Sequence, residues 1–268
     1  MHPILLFAVL LPLVLCGCAM TGGKAHDIQT KELTYTAGGA RCTGFVAWDA
    51  AIEGKRPGVL VVHEWWGHND YVRRRARMLA ELGYTALALD MYGDGKQASH
   101  PQDAQKFMNE VLQNMEAGKA RFVAARQQLE QQPTTDKDHI AAIGYCFGGA
   151  VVLAMARSGM DLDAVASFHG NLATNSPAQK GQVKARVLVC HGADDQFIPP
   201  EQVAAFQKEM AAAGVDLEFH AYPGAVHGFT AKEATEKGKQ FNLPLAYDAD
   251  ADRQSWDELK DFLRASFR

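Results

Sequence analysis

From Lys31 onward, short unbroken apolar runs alternate with longer stretches whose apolar residues recur at helical spacing. Two strand-like pieces come first, Glu32 to Thr36 and Cys42 to Trp48, with Gly38-Gly39 between them as a hairpin signal. Gly58 to Val62, bounded by Pro57, is an apolar run of the kind found in strands buried on both faces, and Thr85 to Leu89 is another. Between them Val72, Ala76, Leu79 and Leu82 repeat at helical spacing before Gly83. One long helix is predicted after Pro101, with Phe107, Met108, Val111, Leu112, Met115, Phe122, Val123 and Leu129 forming a single core-facing stripe. The second half predicts strand Ile140 to Ile143, helix Gly148 to Arg157, strands Ala164 to Phe168 and Arg186 to Cys190, helix Pro200 to Ala213 and strand Leu217 to Tyr222. Trp256, Leu259, Phe262 and Leu263 mark a closing helix.

Strands alternating with helices of this length need right-handed crossovers and a mostly parallel sheet covered on both faces. No internal repeat and no Pro/Gly-rich linker interrupts the pattern beyond residues 19–30, so the expectation is one α/β domain over residues 31–268. Composition narrows the function. The 27 Lys+Arg against 31 Asp+Glu leave a net charge of −4, with no basic excess to neutralise phosphates, which argues against a nucleic-acid partner. At 47% hydrophobic and 22% charged the chain is neither disordered nor a polytopic membrane protein.

The N-terminus carries its own signal. Residues 1–23 contain no Lys, Arg, Asp or Glu, and the run Ile4 to Leu15 is apolar apart from Pro12: too short to span a bilayer, but the size of a signal-peptide core. Leu15-Cys16-Gly17-Cys18-Ala19 follows and resembles a bacterial lipobox in which Cys18 is lipidated. The expectation is a leader over residues 1–17, a tether over 18–30, and an exported lipoprotein facing the periplasm or cell surface. Each buried acyl CH₂ contributes roughly 0.8 kcal/mol, so a multiply acylated Cys18 anchors the chain without a spanning helix. Ala19 in place of Asp implies the outer membrane. Of the five cysteines, Cys42, Cys146 and Cys190 then remain as thiols; Cys42 and Cys190 fall in strand-like runs, and a pair between them stays open.

The sharpest chemical feature is Gly144-Tyr145-Cys146-Phe147-Gly148-Gly149 at a strand-to-helix junction. It has the pattern of a nucleophile elbow, with glycines where backbones approach closely and cysteine at the centre. An elbow nucleophile needs a histidine, and the histidine an acid, in the order nucleophile, acid, histidine. His191-Gly192-Ala193-Asp194-Asp195 and Pro223-Gly224-Ala225-Val226-His227-Gly228-Phe229 follow in that order, each past the end of a predicted strand, where sites in open α/β sheets form. His220, the other histidine after Asp195, lies inside a strand and reads as structural. His63-Glu64-Trp65-Trp66-Gly67-His68 has one residue too many for a zincin H-E-x-x-H, so metal chemistry is not expected.

Taken with His63-Glu64-Trp65-Trp66-Gly67 and Asp90-Met91-Tyr92, these motifs make residues 31 to the C-terminus resemble the dienelactone hydrolases (carboxymethylenebutenolidases) of the α/β-hydrolase superfamily. The resemblance implies a triad of Cys146, Asp195 and His227, with Asp194 at a non-catalytic loop position. It further implies an oxyanion hole from the Trp65 and Phe147 N–H groups, no cofactor, and a Glu64 that contacts the resting thiol. Glu64 also has a plainer reading, as a helix cap or ion-pair partner of Arg73 or Arg74. The family's carboxylate-binding arginines are not matched: Gly93, Asp94 and Gly95 follow Tyr92, Ala231 stands four past His227, and the nearby cations are Lys96 and Lys232, which lack the bidentate fork. The expected activity is hydrolysis of a small ester or lactone through an acyl-cysteine, by a chain for which a monomer is favoured. The alternatives are a thioesterase or other acyl transfer on the same triad, or a surface lipoprotein that only binds.

Lipidation has a direct readout. Expressed with its native leader, the protein is expected in the membrane fraction with an acyl mass increment, both lost in Cys18→Ser; a wild-type protein recovered soluble and unmodified contradicts it.

Overall fold

The fold, a computed structural model, is described for residues 25–268; the expected leader, Cys18 and residues 19–24 of the tether lie outside them. Gly38 and Gly39, at φ 56° and 75°, turn the chain between β1 (Ile28–Ala37) and β2 (Ala40–Asp49), which pair antiparallel along their whole length. Positive φ at both central residues matches the twist of the flanking strands. Residues 28–30, expected to belong to the tether, are strand: Ile28, Gln29 and Thr30 pair with Asp49, Trp48 and Ala47, because the backbone groups of β2 need partners whatever the side chains opposite.

Beyond the hairpin the strands are β3 (Arg56–Val62), β4 (Thr85–Leu89), β5 (Thr135–Tyr145), β6 (Ala164–Phe168), β7 (Arg186–Gly192) and β8 (Leu217–Tyr222). They form one eight-stranded sheet in the order β1-β2-β4-β3-β5-β6-β7-β8, parallel from β4 to β8. Period-2 alternation divides the strand residues between two cores. Leu60, Val62, Ala142, Val187 and Val189 face one side, with Phe122, Val152 and Phe206 from the helices. Val59, Val61, Ile143, Leu188 and Cys190 face the other, with Leu79, Leu259 and Phe262. Helices α1 (Asp70–Glu81) and α7 (Ala249–Ser266) cover the second face; α3 (Met115–Glu130), α4 (Phe147–Arg157) and α5 (Pro200–Ala213) cover the first. This is the α/β-hydrolase fold. Cys42 and Cys190 are buried and free. They lie on strands five places apart in the sheet, a separation of ~24 Å that excludes a disulfide.

The predicted long helix is two. Asn114, at φ −133° and ψ 67°, ends α2 (Pro101–Gln113), and its side chain caps α3 by accepting from Ala117 N–H at 3.1 Å. A capping asparagine outcompetes helix continuation there. Leu112 and Met115, assigned to the core stripe, are 50% and 41% exposed at this break. A further helix, α6 (Ala234–Phe241), has no counterpart in the sequence pattern, being eight mostly polar residues around Gly238.

The chain runs from β3 outward to β4 and then returns across β3 to β5, so a crevice opens at the carboxyl ends of β3 and β5. The β5–α4 junction there is tight. A Cβ on Gly148 would lie 2.4 Å from the Val62 carbonyl oxygen, and one on Gly144 2.1 Å from the Gly148 oxygen. Gly148→Ala is therefore expected to cost more than about 2 kcal/mol of stability by overpacking against backbone. Gly39→Ala, where the space is open and only φ is strained, should cost about 1 kcal/mol. Denaturant unfolding of both variants measures the ranking, and its reversal contradicts the packing.

Candidate active site

Cys146 is the single residue between β5 and α4, with φ 53° and ψ −115°. Its N–H donates to the Phe168 carbonyl at 2.9 Å, tying the turn to the end of β6. The backbone is buried around it, but the side chain is half-buried and lines a cleft of about 280 Å³ with Glu64, Trp65, Trp66, His227 and Lys237.

Asp195 lies in the loop after β7 and His227 in the loop after β8. The Asp195 side chain is fully buried. One of its oxygens accepts from the Phe197 N–H at 2.9 Å and the other meets His227 Nδ1 at 2.8 Å. With Nδ1–H directed at a carboxylate, the Nε2 edge of the ring is left for the cleft. Asp194, one residue earlier, is exposed, and its backbone N–H donates to the Ala225 carbonyl at 3.0 Å, joining the two loops. Of the two adjacent aspartates, Asp195 is the one in contact with His227. The imidazole is packed between rings, with Phe197 at 5.0 Å and His169 at 5.2 Å between centroids, both edge-on. Burial opposes its charged form, yet a Cys146 sulfur that has given up its proton, together with the Asp195 carboxylate, outweighs burial and pushes His227 up to about 10, so the imidazolium is held once the sulfur is ionised.

Glu64, just past β3, is 7% exposed. Burial pushes its carboxyl up to about 7, against the charges of Lys237 and His227. Neither plainer role applies: Asn69 caps α1, Arg73 pairs with Glu32, and Arg74 pairs with Glu233. His63 spends both ring nitrogens on backbone, Nδ1–H donating to the Glu64 carbonyl at 2.6 Å and Nε2 accepting from the Met91 N–H at 3.2 Å, so neither nitrogen is offered to the cleft. The Trp65 and Phe147 N–H groups donate to no other described residue.

The cleft's cation is Lys237, on α6, with its ammonium 3.8 Å from the centre of the Trp66 ring. Of the two cations expected nearby, Lys96 pairs with Glu110 and Lys232 is exposed. Ala231 lines the same cleft. Lys237 went unseen because α6 itself did; the one available signal was the helical spacing of Glu233 and Lys237.

Comparison with known proteins bears on the fold and the family. A model of the dienelactone hydrolase family matches residues 43–267. A Saccharolobus solfataricus protein provisionally named carboxymethylenebutenolidase is 27% identical over 271 residues, covering 87% of this chain and 98% of its own. Two solved structures are each 37% identical and cover 90% of this chain and 99% of theirs: one described as m3DLH, with a TM-score of 0.83, and a dienelactone hydrolase-like promiscuous phosphotriesterase from metagenomic libraries, with 0.82.

Burial of Glu64 carries a pH signature. A carboxyl that holds its proton to about pH 7 when folded, against an ordinary 4.5, stabilises the fold fully below pH 4.5 and loses that contribution as pH rises through 7. Ionised Glu64 then costs up to about 3 kcal/mol. Glu64→Gln should gain on wild type in urea unfolding at pH 8.5 and differ little at pH 4. An equal difference at both would mean that the carboxyl is not desolvated.

Proposed function

This chain belongs to the dienelactone hydrolase family, and on that footing we propose that it hydrolyses a small ester or lactone through an acyl-cysteine formed on Cys146. The observation that carries the reading is His227, bonded to buried Asp195 on Nδ1 with the Cys146 sulfur beside its ring in one cleft. In this reading His227 takes the thiol proton as sulfur attacks the carbonyl carbon. Asp195 stays ionised, holds the tautomer and stabilises the imidazolium. Negative charge developing on the carbonyl oxygen is met by the Trp65 and Phe147 N–H groups, the latter at the N-terminus of α4, and loss of one such donor costs roughly 3–4 kcal/mol in the barrier. Collapse expels the alkoxide, which takes the proton from His227; in a lactone it remains tethered to the acyl group. Water then attacks the thioester with His227 as base, releasing the acid and the free thiol, so one water is consumed per turnover.

Glu64 is proposed to keep the resting thiol neutral. Its carboxyl lines the cleft with Cys146 and makes no hydrogen bond to another described residue, so it can move when substrate enters. Once ionised, Glu64 is an adjacent anion that opposes the thiolate, which guards a cysteine in an oxidising compartment. That compartment follows from the N-terminal motif alone; no helix among the described residues is long and apolar enough to cross a membrane.

A second reading, phosphotriester hydrolysis by the same nucleophile, is favoured by the 37% identity to the promiscuous phosphotriesterase over 90% of the chain. A panel of p-nitrophenyl acetate, a small lactone and p-nitrophenyl diethyl phosphate separates the two. Cys146→Ala is expected to abolish turnover, and Asp195→Asn to lower kcat by about 10³–10⁴ against less than about 3-fold for Asp194→Asn. Equal turnover by wild type and Cys146→Ala refutes hydrolysis at this cysteine, and the reverse aspartate ranking refutes the assignment.

A further inference from the structure

His169, the residue after β6, has no place in the chemistry above, yet its environment is unusually constrained. It is 1% exposed and adopts φ 40°, a left-handed conformation that non-glycine residues seldom take. Its ring packs edge-on against His227 at 5.2 Å and against Phe229 at 5.2 Å. Nε2 lies 2.8 Å from the hydroxyl of Thr230, and Nδ1 is buried with no hydrogen-bond partner. Thr230 Oγ1 is 2.6 Å from the Tyr71 hydroxyl, which accepts from Arg75 Nε at 3.3 Å. Arg75 also donates to the Thr230 carbonyl at 2.7 Å and pairs with Asp252 of α7. All four side chains, Arg75, Tyr71, Thr230 and His169, are buried.

The direction of this chain follows from its first member. A guanidinium only donates. Tyr71 accepts from Arg75, and because Thr230 is the acceptor within reach of its own proton it donates to Thr230, whose hydroxyl proton goes to Nε2 of His169. His169 is then the Nδ1–H tautomer with Nε2 accepting. A proton on Nε2 would turn the Thr230 hydroxyl toward Tyr71 and leave the buried Tyr71 proton without an acceptor. Burial and the neighbouring charges of His227 and Arg75 also act against the imidazolium. An orphaned Nδ1–H in the core costs stability, and the φ of 40° adds to that cost, so the arrangement persists against local preference at a point touching His227.

We propose that His169 is a positioning residue for the reaction: a neutral imidazole, fixed by the Arg75–Tyr71–Thr230 chain, that sets the plane of the His227 ring without competing for its proton. The proposal rests on His227 acting as the proton carrier. Because Arg75 holds the Thr230 carbonyl as well, the same cation fixes both the loop that carries His227 and the ring behind it. Loss of the support lets the imidazole tilt, and a misplacement of ~1 Å costs up to about 100-fold in rate.

The test uses the difference between the two nitrogens. His169→Gln can place an amide near the position of Nε2 and keep the bond to Thr230. His169→Asn cannot reach Thr230, although asparagine suits a left-handed backbone better. A purely conformational role ranks Asn above Gln; the positioning role ranks Gln above Asn. Expected with the ester substrate is a kcat within about 5-fold of wild type for Gln and lower on the order of 10- to 100-fold for Asn, KM unchanged in both. Thr230→Val should match Asn and add little to it in the double variant. The downfield Nδ1 proton resonance of His227, shared with Asp195, is read in parallel; it should persist in Gln and shift or broaden in Asn. Wild-type kcat and an unchanged resonance in Asn overturn the proposal. If wild type shows no turnover dependent on Cys146, the hydrolase reading has failed, and the resonance still decides whether His169 orients His227.

Discussion

Cys146 sits at φ 53° and ψ −115°, a conformation that costs a side-chain-bearing residue of order 1–3 kcal/mol, and the sheet around it holds it there. Its N–H is bonded to Phe168 at the end of β6, and α4 continues directly from it with Phe147, Val151, Val152 and Met155 buried in one core. Gly148 lets α4 come down on the β3 backbone, and Gly144 lets β5 meet α4 itself, at distances no Cβ permits. The strained turn and the packed helix are thus one object: relaxing the cysteine would lift α4 off the sheet. What this constraint yields is a thiol raised above the carboxyl edge of β5, beside the first N–H groups of a helix, at the crevice where the strand order reverses.

The partners of the thiol arrive by a different route, in loops whose shape is set by polar contacts. Asp195 is oriented by its own turn through Phe197 N–H, Asp194 stitches that turn to the loop after β8, and the loop carries His227 back toward β5. Below it, Arg75 reaches from α1 to the Thr230 carbonyl and to Asp252, so a buried cation ties together α1, the histidine loop and α7. Such a group is costly to bury alone and stabilises only because nearly all its donors are used. The cleft above is electrostatically mixed: a desolvated Glu64, and Lys237 lying against Trp66, whose own burial favours the neutral amine while Glu64 and Glu233 favour the ammonium.

How much of this could be read from the chain depended on whether the information was local. β4 and β6 have the bounds that their apolar runs predicted, since burial on both faces writes itself into the sequence. The elbow was legible because tight backbone contact demands glycine at fixed offsets, and the acid and histidine because chain order is preserved in the fold. The break at Asn114 was missed, as the apolar period of α2 carries on past it into α3 even though Leu112 and Met115 turn outward. Lys237 was missed because α6 packs few apolar residues. His169 had no signal, for it gains meaning only from Thr230, 61 residues away, and from Tyr71 and Arg75, 159 and 155 residues from Thr230.

The central claim is that the strained turn presents Cys146 as a nucleophile, and the acyl-cysteine is its direct product. Intact-protein mass spectrometry on samples quenched in acid during turnover of a slowly hydrolysed ester should show a mass gain equal to the acyl group. Peptide mapping should place it on Cys146, and it should vanish in Cys146→Ala. An adduct on any other residue, or ester turnover that survives loss of this thiol, contradicts the account.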